Sequence, residues 1–154
     1  MPICRSLTPL LLLPLLVVAC VATMTGCSTF ERDWKALADR PVSESAMEGR
    51  WSGTWVSDVS GHGGGLRCII TRTENDTLHA RYRATYGAGL TFEYDMPMTV
   101  EREGETFRFA AEADLGWLAG GRYTYDGTVV GDEFTSTYRS KSDHGTFRMM
   151  RVRQ

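Results

Sequence analysis

Residues 78–101 read LHARYRATYGAGLTFEYDMPMTVE. Before the Gly87-Ala88-Gly89 break, Leu78, Ala80, Tyr82, Ala84 and Tyr86 alternate with His79, Arg81, Arg83 and Thr85. After it, Phe92, Tyr94, Met96, Met98 and Val100 alternate with Glu93, Asp95 and Glu101. Successive side chains of an extended chain point to opposite faces, so a period of two gathers the large apolar groups on one side. Glycine supplies the turn conformations that bulkier residues resist. Folding the two halves back on each other sets Arg83 opposite Glu93 and Arg81 opposite Asp95, a pairing that favours this register. The stretch is a hairpin of an antiparallel sheet with one apolar and one wet face.

The same pattern recurs over the rest of the chain from Arg50 onward. Eight alternating runs span about 50–58, 65–73, 77–86, 90–101, 106–114, 121–130, 133–140 and 145–153, separated by short turn segments. All six tyrosines and the five phenylalanines after residue 50 fall on the inward phase. Eight sequential strands with short links and one apolar face predict an all-β, eight-stranded antiparallel up-and-down barrel over residues 50–154, because closure removes exposed strand edges. A two-sheet sandwich is the alternative. Ala80, Ala84, Ala111, Ala113, Gly127 and Ser136 share the inward phase with the aromatic residues. They fit either a cavity or the small half of a large–small packing pattern.

The first run, GRWSGTWVSD (49–58), opens with Gly49-Arg50-Trp51 and Gly53-Thr54-Trp55. It resembles the Gly-x-Trp opening of calycin barrels, which include lipocalins, fatty-acid-binding proteins and avidins. The resemblance implies a tryptophan near the closed end of the barrel with an arginine of the last strand across it. Trp51, Trp55 and Arg151 of GTFRMMRVR are the matching residues, with a role in closing the barrel. The chain looks most like small bacterial lipoproteins with a calycin-like barrel. It shows no lipocalin Thr-Asp-Tyr motif and no biotin-binding residue set, so no ligand identity carries over.

The N-terminus has a different character. MPICRSLTPLLLLPLLVVACVATMTGC (1–27) has a basic Arg5, an apolar run to about Val21 and small residues before a cysteine. That is a secretory signal over residues 1–26, too short and proline-interrupted for a comfortable membrane span. The ending MTGC resembles a bacterial lipobox, which implies lipidation of Cys27; Cys20 in VVAC is the rival acceptor. The absence of Asp after Cys27 points by analogy to the outer membrane, facing the periplasm. Cys68 is then the only other cysteine in the mature region, so no disulfide framework is expected. Residues 27–49 form a tether with one short helix. Ser28 and Glu31 suit a capping box, Pro41 stops continuation, and Phe30, Trp34 and Leu37 share a face. That face either lies on the membrane or packs on the domain.

In an up-and-down barrel alternate connections lie at the same end. One end collects residues 59–64, 87–89, 115–120 and 140–144, which are glycine-rich and carry His62, Trp117, Asp143 and His144. The other collects short acidic turns. The first end is read as an open mouth with those four residues at its rim, above an interior lined by Tyr82, Tyr94, Phe109 and Tyr125. Because the chain enters strand one from the other end, the tether is expected to leave the mouth facing away from the membrane.

Composition narrows the function. The 154 residues carry 17 Lys and Arg against 19 Asp and Glu, so no basic field exists to hold nucleic acid. His-Gly-Gly-Gly at 62–65 matches an esterase oxyanion loop, but the chain has no Gly-x-Ser-x-Gly elbow and no alternating strands and helices. No zinc-type spacing of Cys and His occurs, and neither a cofactor nor a catalytic set is expected. The expectation is a non-enzymatic cell-envelope lipoprotein, held to the membrane by its N-terminal lipid, that binds a small apolar or aromatic molecule. The alternative is an interaction module, an inhibitor or assembly factor, that binds an envelope protein with a filled barrel.

Overall fold

The structure is a computed structural model and describes residues 29–41 and 45–153. The expected signal peptide, Cys27 and Cys20 lie outside the described residues. Helix α1 (Thr29–Ala38) precedes eight strands: β1 (Gly49–Ser57), β2 (Gly63–Arg72), β3 (Leu78–Tyr86), β4 (Leu90–Glu103), β5 (Thr106–Asp114), β6 (Arg122–Val130), β7 (Glu133–Arg139) and β8 (His144–Arg151). Each strand pairs antiparallel with the next, and β8 pairs back on β1, so the sheet closes into an up-and-down barrel. The hairpin register is the one its charges favour, with Arg81 opposite Asp95 and Arg83 opposite Glu93.

The end opposite the glycine-rich loops is solidly packed. Trp51 is fully buried and its indole N–H donates to the Met47 carbonyl at 3.0 Å. The Arg151 guanidinium carbon lies 4.3 Å from the Trp51 ring centroid, on the opposite residue of the β1–β8 pair. Arg151 also donates to the carbonyls of Glu48 and Ala46 and faces Asp132 at 3.3 Å. Burial lowers the Arg151 pKa and Asp132 opposes that shift. A buried guanidinium with partners for its donors and an aromatic face beneath it is a satisfied closure. Phe109 and Phe134 meet with ring centroids 4.8 Å apart. Gly127 permits this: a Cβ there would lie 2.5 Å from the Phe109 ring and 2.4 Å from the Thr135 carbonyl oxygen.

Helix α1 packs on the outer wall of β2 and β3. Phe30 is 1% exposed and stacks on Trp34, with the Arg67 guanidinium over both rings. Ile69 points outward yet is buried, in contact with the groove beneath Asp33, Ala36 and Leu37. Glu31 pairs with Arg67 and Arg83, and Asp33 with Arg81 at 2.6 Å. The apolar face of the helix thus covers the barrel. The helix also runs downward: Glu31 sits at the level of Arg67 and Arg83, while Leu37 and Arg40 border a groove with Glu48, Gly49 and Arg72 at the closed end. The chain does enter β1 from the closed end, but the described chain starts beside the middle of the wall rather than beneath that end.

Candidate functional site: an aromatic cavity at the barrel mouth

The connections β1–β2, β3–β4, β5–β6 and β7–β8 gather at one end and surround a cavity of about 570 Å³. Its floor is formed by Tyr94, Tyr125 and Phe147, which reach inward from β4, β6 and β8. Tyr94 and Tyr125 lie 6.1 Å apart and near-parallel, and Tyr125 meets Phe147 at 5.8 Å. The upper wall is made by Trp55, Tyr86, Phe92, Tyr123 and Tyr138, with Ala84 leaving room between rings. Leu90, Leu115 and Leu118 form the lip. Tyr86, Phe92 and Leu90 are inward-phase residues of their strands yet stay exposed, because above them the barrel holds no packed layer.

The wall near β1 rests on the glycine run. Trp55 pairs across to Gly64, its indole N–H donates to the Thr85 carbonyl at 2.9 Å, and its ring stacks on Tyr86 at 5.6 Å. A Cβ on Gly64 would lie 2.0 Å from the Thr85 carbonyl oxygen and 3.0 Å from the indole nitrogen. Glycine is needed there because backbone and indole approach so closely. The run serves the placement of Trp55.

A polar cluster stands beside the aromatic wall. Ser57 is 1% exposed, and its hydroxyl donates to Asp143 Oδ1 at 2.6 Å. The Ser57 hydroxyl oxygen in turn accepts from the Ser60 amide at 3.1 Å and the Val59 amide at 3.3 Å. The Tyr138 hydroxyl donates to Asp143 Oδ2 at 3.2 Å. Burial first, and then the Asp143 charge, push the Tyr138 phenol above its ordinary range, so it stays protonated and donates. Burial likewise raises Tyr94 and Tyr125, and in the layer below raises Tyr82 and Cys68.

The residues singled out from sequence separate into groups. Asp143, Tyr94 and Tyr125 line the cavity. Tyr82 lies one layer below, stacked on Tyr94 at 5.2 Å, and Phe109 belongs to the closed half. Trp117 is 86% exposed at the tip of a short 3-10 turn, beside Leu118, which does line the lip. His62 and His144 both reach the mouth end, where their carbonyls accept from the Ser57 and Asp58 amides on the two sides of β1. His62 rests against Tyr86 at 5.4 Å outside the cavity, and His144 is exposed. Of the two Gly-x-Trp matches, Trp51 sits with Arg151 at the closed end while Trp55 lines the mouth. Trp55, Tyr123, Tyr138 and Phe147 were not assigned to a binding site from sequence. Their signal was inward phase within a few residues of a mouth loop. Among the described residues no group of three His, Cys, Asp or Glu is placed to hold a metal ion. Comparison of the chain with protein-family models, with curated proteins and with solved structures finds no match.

Proposed function

We propose that the protein is a non-enzymatic, lipid-anchored component of a bacterial cell envelope that binds a small apolar or aromatic molecule in a calycin-like barrel. The observation that carries this reading is the cavity: about 570 Å³, open at one end and walled by eight aromatic rings over a packed floor. Its size and predominantly aromatic lining with one precisely placed charged group suit a small-molecule site. The anchor is supported by the sequence before Thr29, with Cys27 as the acceptor.

Fluorescence titration with the neutral probe N-phenyl-1-naphthylamine tests the reading. Saturable binding to the full chain, abolished by Ala84→Phe in a variant that still folds, is the expected result. A folded protein that takes up no apolar probe overturns it. Loss of metabolic lipid labelling on Cys27→Ser tests the anchor, and persistent labelling assigns it to Cys20.

The second reading, an interaction module for an envelope protein, has its own observation. Val59, Leu90, Trp117 and Leu118 are all more than half exposed around the mouth, with Val56, Tyr86 and Phe92 beside them. Apolar side chains concentrated at one end of a small domain are a docking feature. A protein captured by crosslinking at Trp117, together with an empty cavity, favours this reading.

A further inference from the structure

The cavity has one charge. Asp143 is the only Asp, Glu, Lys, Arg or His among the described residues that line it. Its carboxylate is held from two sides, by Ser57 at 2.6 Å on one oxygen and Tyr138 at 3.2 Å on the other. Ser57 is itself fixed by the amides of Val59 and Ser60, so the carboxylate is attached to the end of β1. Each carboxylate oxygen has about two acceptor sites, and one protein donor on each leaves capacity for a further donor. Eight of the other lining residues are aromatic and the rest are uncharged, and an aromatic face is the negative side of the ring quadrupole.

These features add in one direction. A ligand bearing positive charge meets a fixed carboxylate and a wall rich in aromatic rings. A ligand bearing negative charge loses hydration, meets no basic lining residue, and approaches Asp143. Tyrosine hydroxyls soften neither effect enough to reverse it, because a hydroxyl has no net charge.

We propose that the ligand is an organic cation with an apolar or aromatic body, an arylalkyl- or alkylammonium, whose charged head sits at Asp143 while its body occupies the rings above Tyr94 and Tyr125. This rests on the cavity being a ligand site. It assigns Asp143 as the residue that sets ligand charge. Fatty-acid anions are selected against.

Three probes with one body and different heads test it: 1-naphthylmethylammonium, 1-naphthylmethanol and 1-naphthoate, titrated calorimetrically into the full chain at neutral pH. The expected order is ammonium, then alcohol, then carboxylate, with steps of about tenfold, the size of one charge-assisted contact. Asp143→Asn is expected to lower ammonium affinity by about tenfold and leave the alcohol within about threefold. Because Asp143 also ties Ser57 to Tyr138, a second variant is used. Leu118→Lys places a cation at a lip position that is 82% exposed, and is expected to weaken the ammonium and strengthen the carboxylate in a folded protein. Equal binding of all three probes overturns the charge assignment and leaves the apolar-cavity reading standing. Tightest binding of naphthoate, or an Asp143→Asn loss equal across the three probes, overturns it too. Binding of none of them removes both readings.

Discussion

The two halves of this barrel are built from the same strands in the same alternation, yet one is a solid core and the other a cup. In the closed half Trp51 packs on Phe134, Phe134 on Phe109, and Arg151 covers Trp51. In the mouth half the rings line the wall and leave the centre empty. Inward phase specifies a face, whereas filling depends on what stands across the barrel at the same height. Ala80 and Ala84 make the point: both are inward alanines of β3, but Ala80 is completely buried under the core and Ala84 borders the cavity.

The closed half is the more sensitive to truncation. Trp51→Ala removes a fully buried ring from the stack between Phe134 and Arg151. A loss of about 3–5 kcal/mol in unfolding free energy is expected, since neighbouring rings relax only partly into such a hole. Denaturant titration measures it, and a loss under about 1 kcal/mol contradicts a closed half that carries the stability. Gly127→Ala probes the same half by crowding. Its Cβ lies too close to Phe109 and the Thr135 carbonyl, so a loss of about 1–3 kcal/mol is expected, relieved in part by Phe109→Leu.

The mouth answers differently. Phe92 is 41% exposed, so Phe92→Ala removes contacts from only part of the ring. A stability change of about 1 kcal/mol or less is expected, alongside clear weakening of the apolar probe. If instead Phe92→Ala destabilises as much as Gly127→Ala, the mouth wall is core and the distinction between the halves fails.

Much of this was legible in the sequence, for reasons that differ by feature. Period-two alternation and the sign of facing charges fix strands and register locally, and Arg81–Asp95 and Arg83–Glu93 are the register observed. The seat of the helix was written less openly. Ile69 beside Cys68 and Ile70 breaks the alternation of β2, and an outward isoleucine needs a cover. Helix α1 provides it, and diverts Arg81 to Asp33, leaving Asp95 near His79 at 3.6 Å. The cavity was legible in part: the mouth end and the inward aromatics were, but not whether the barrel is filled there. Whether Tyr82, Tyr94 and Phe109 share one layer depends on barrel stagger and on Gly127 admitting the Phe109 ring, which are relations across the barrel rather than along a strand. Asp143 was legible as a mouth residue, but its tie to Ser57, 86 residues away in sequence, depends on closure.

The smallest expected effect lies on the outer wall and distinguishes it from both halves of the interior. Glu31 is held below its ordinary pKa chiefly by the hydrogen bond from Arg67, with burial opposing. Asp33 is lowered by hydrogen bonds from Arg32 and then Arg81. A carboxylate whose folded pKa is depressed adds stability that is fully present above its unfolded pKa and is lost as pH falls through the folded value. The seat of α1 is therefore fully supported above the ordinary carboxylate range and weakens as pH falls below it through the depressed values of Glu31 and Asp33. In the closed half Trp51, Phe109 and Phe134 are held chiefly by burial, with the Asp132 carboxylate facing Arg151 beside them. Acidification is expected to change the Trp34 emission, as Trp34 leaves Phe30 and Arg67, before the near-ultraviolet dichroism of the barrel aromatics changes. Trp34→Phe identifies the helix signal, and Glu31→Gln is expected to reduce its pH dependence. Coincident loss of both signals makes helix and barrel one cooperative unit. Separate transitions establish α1 as an electrostatically seated element whose release leaves the cup intact.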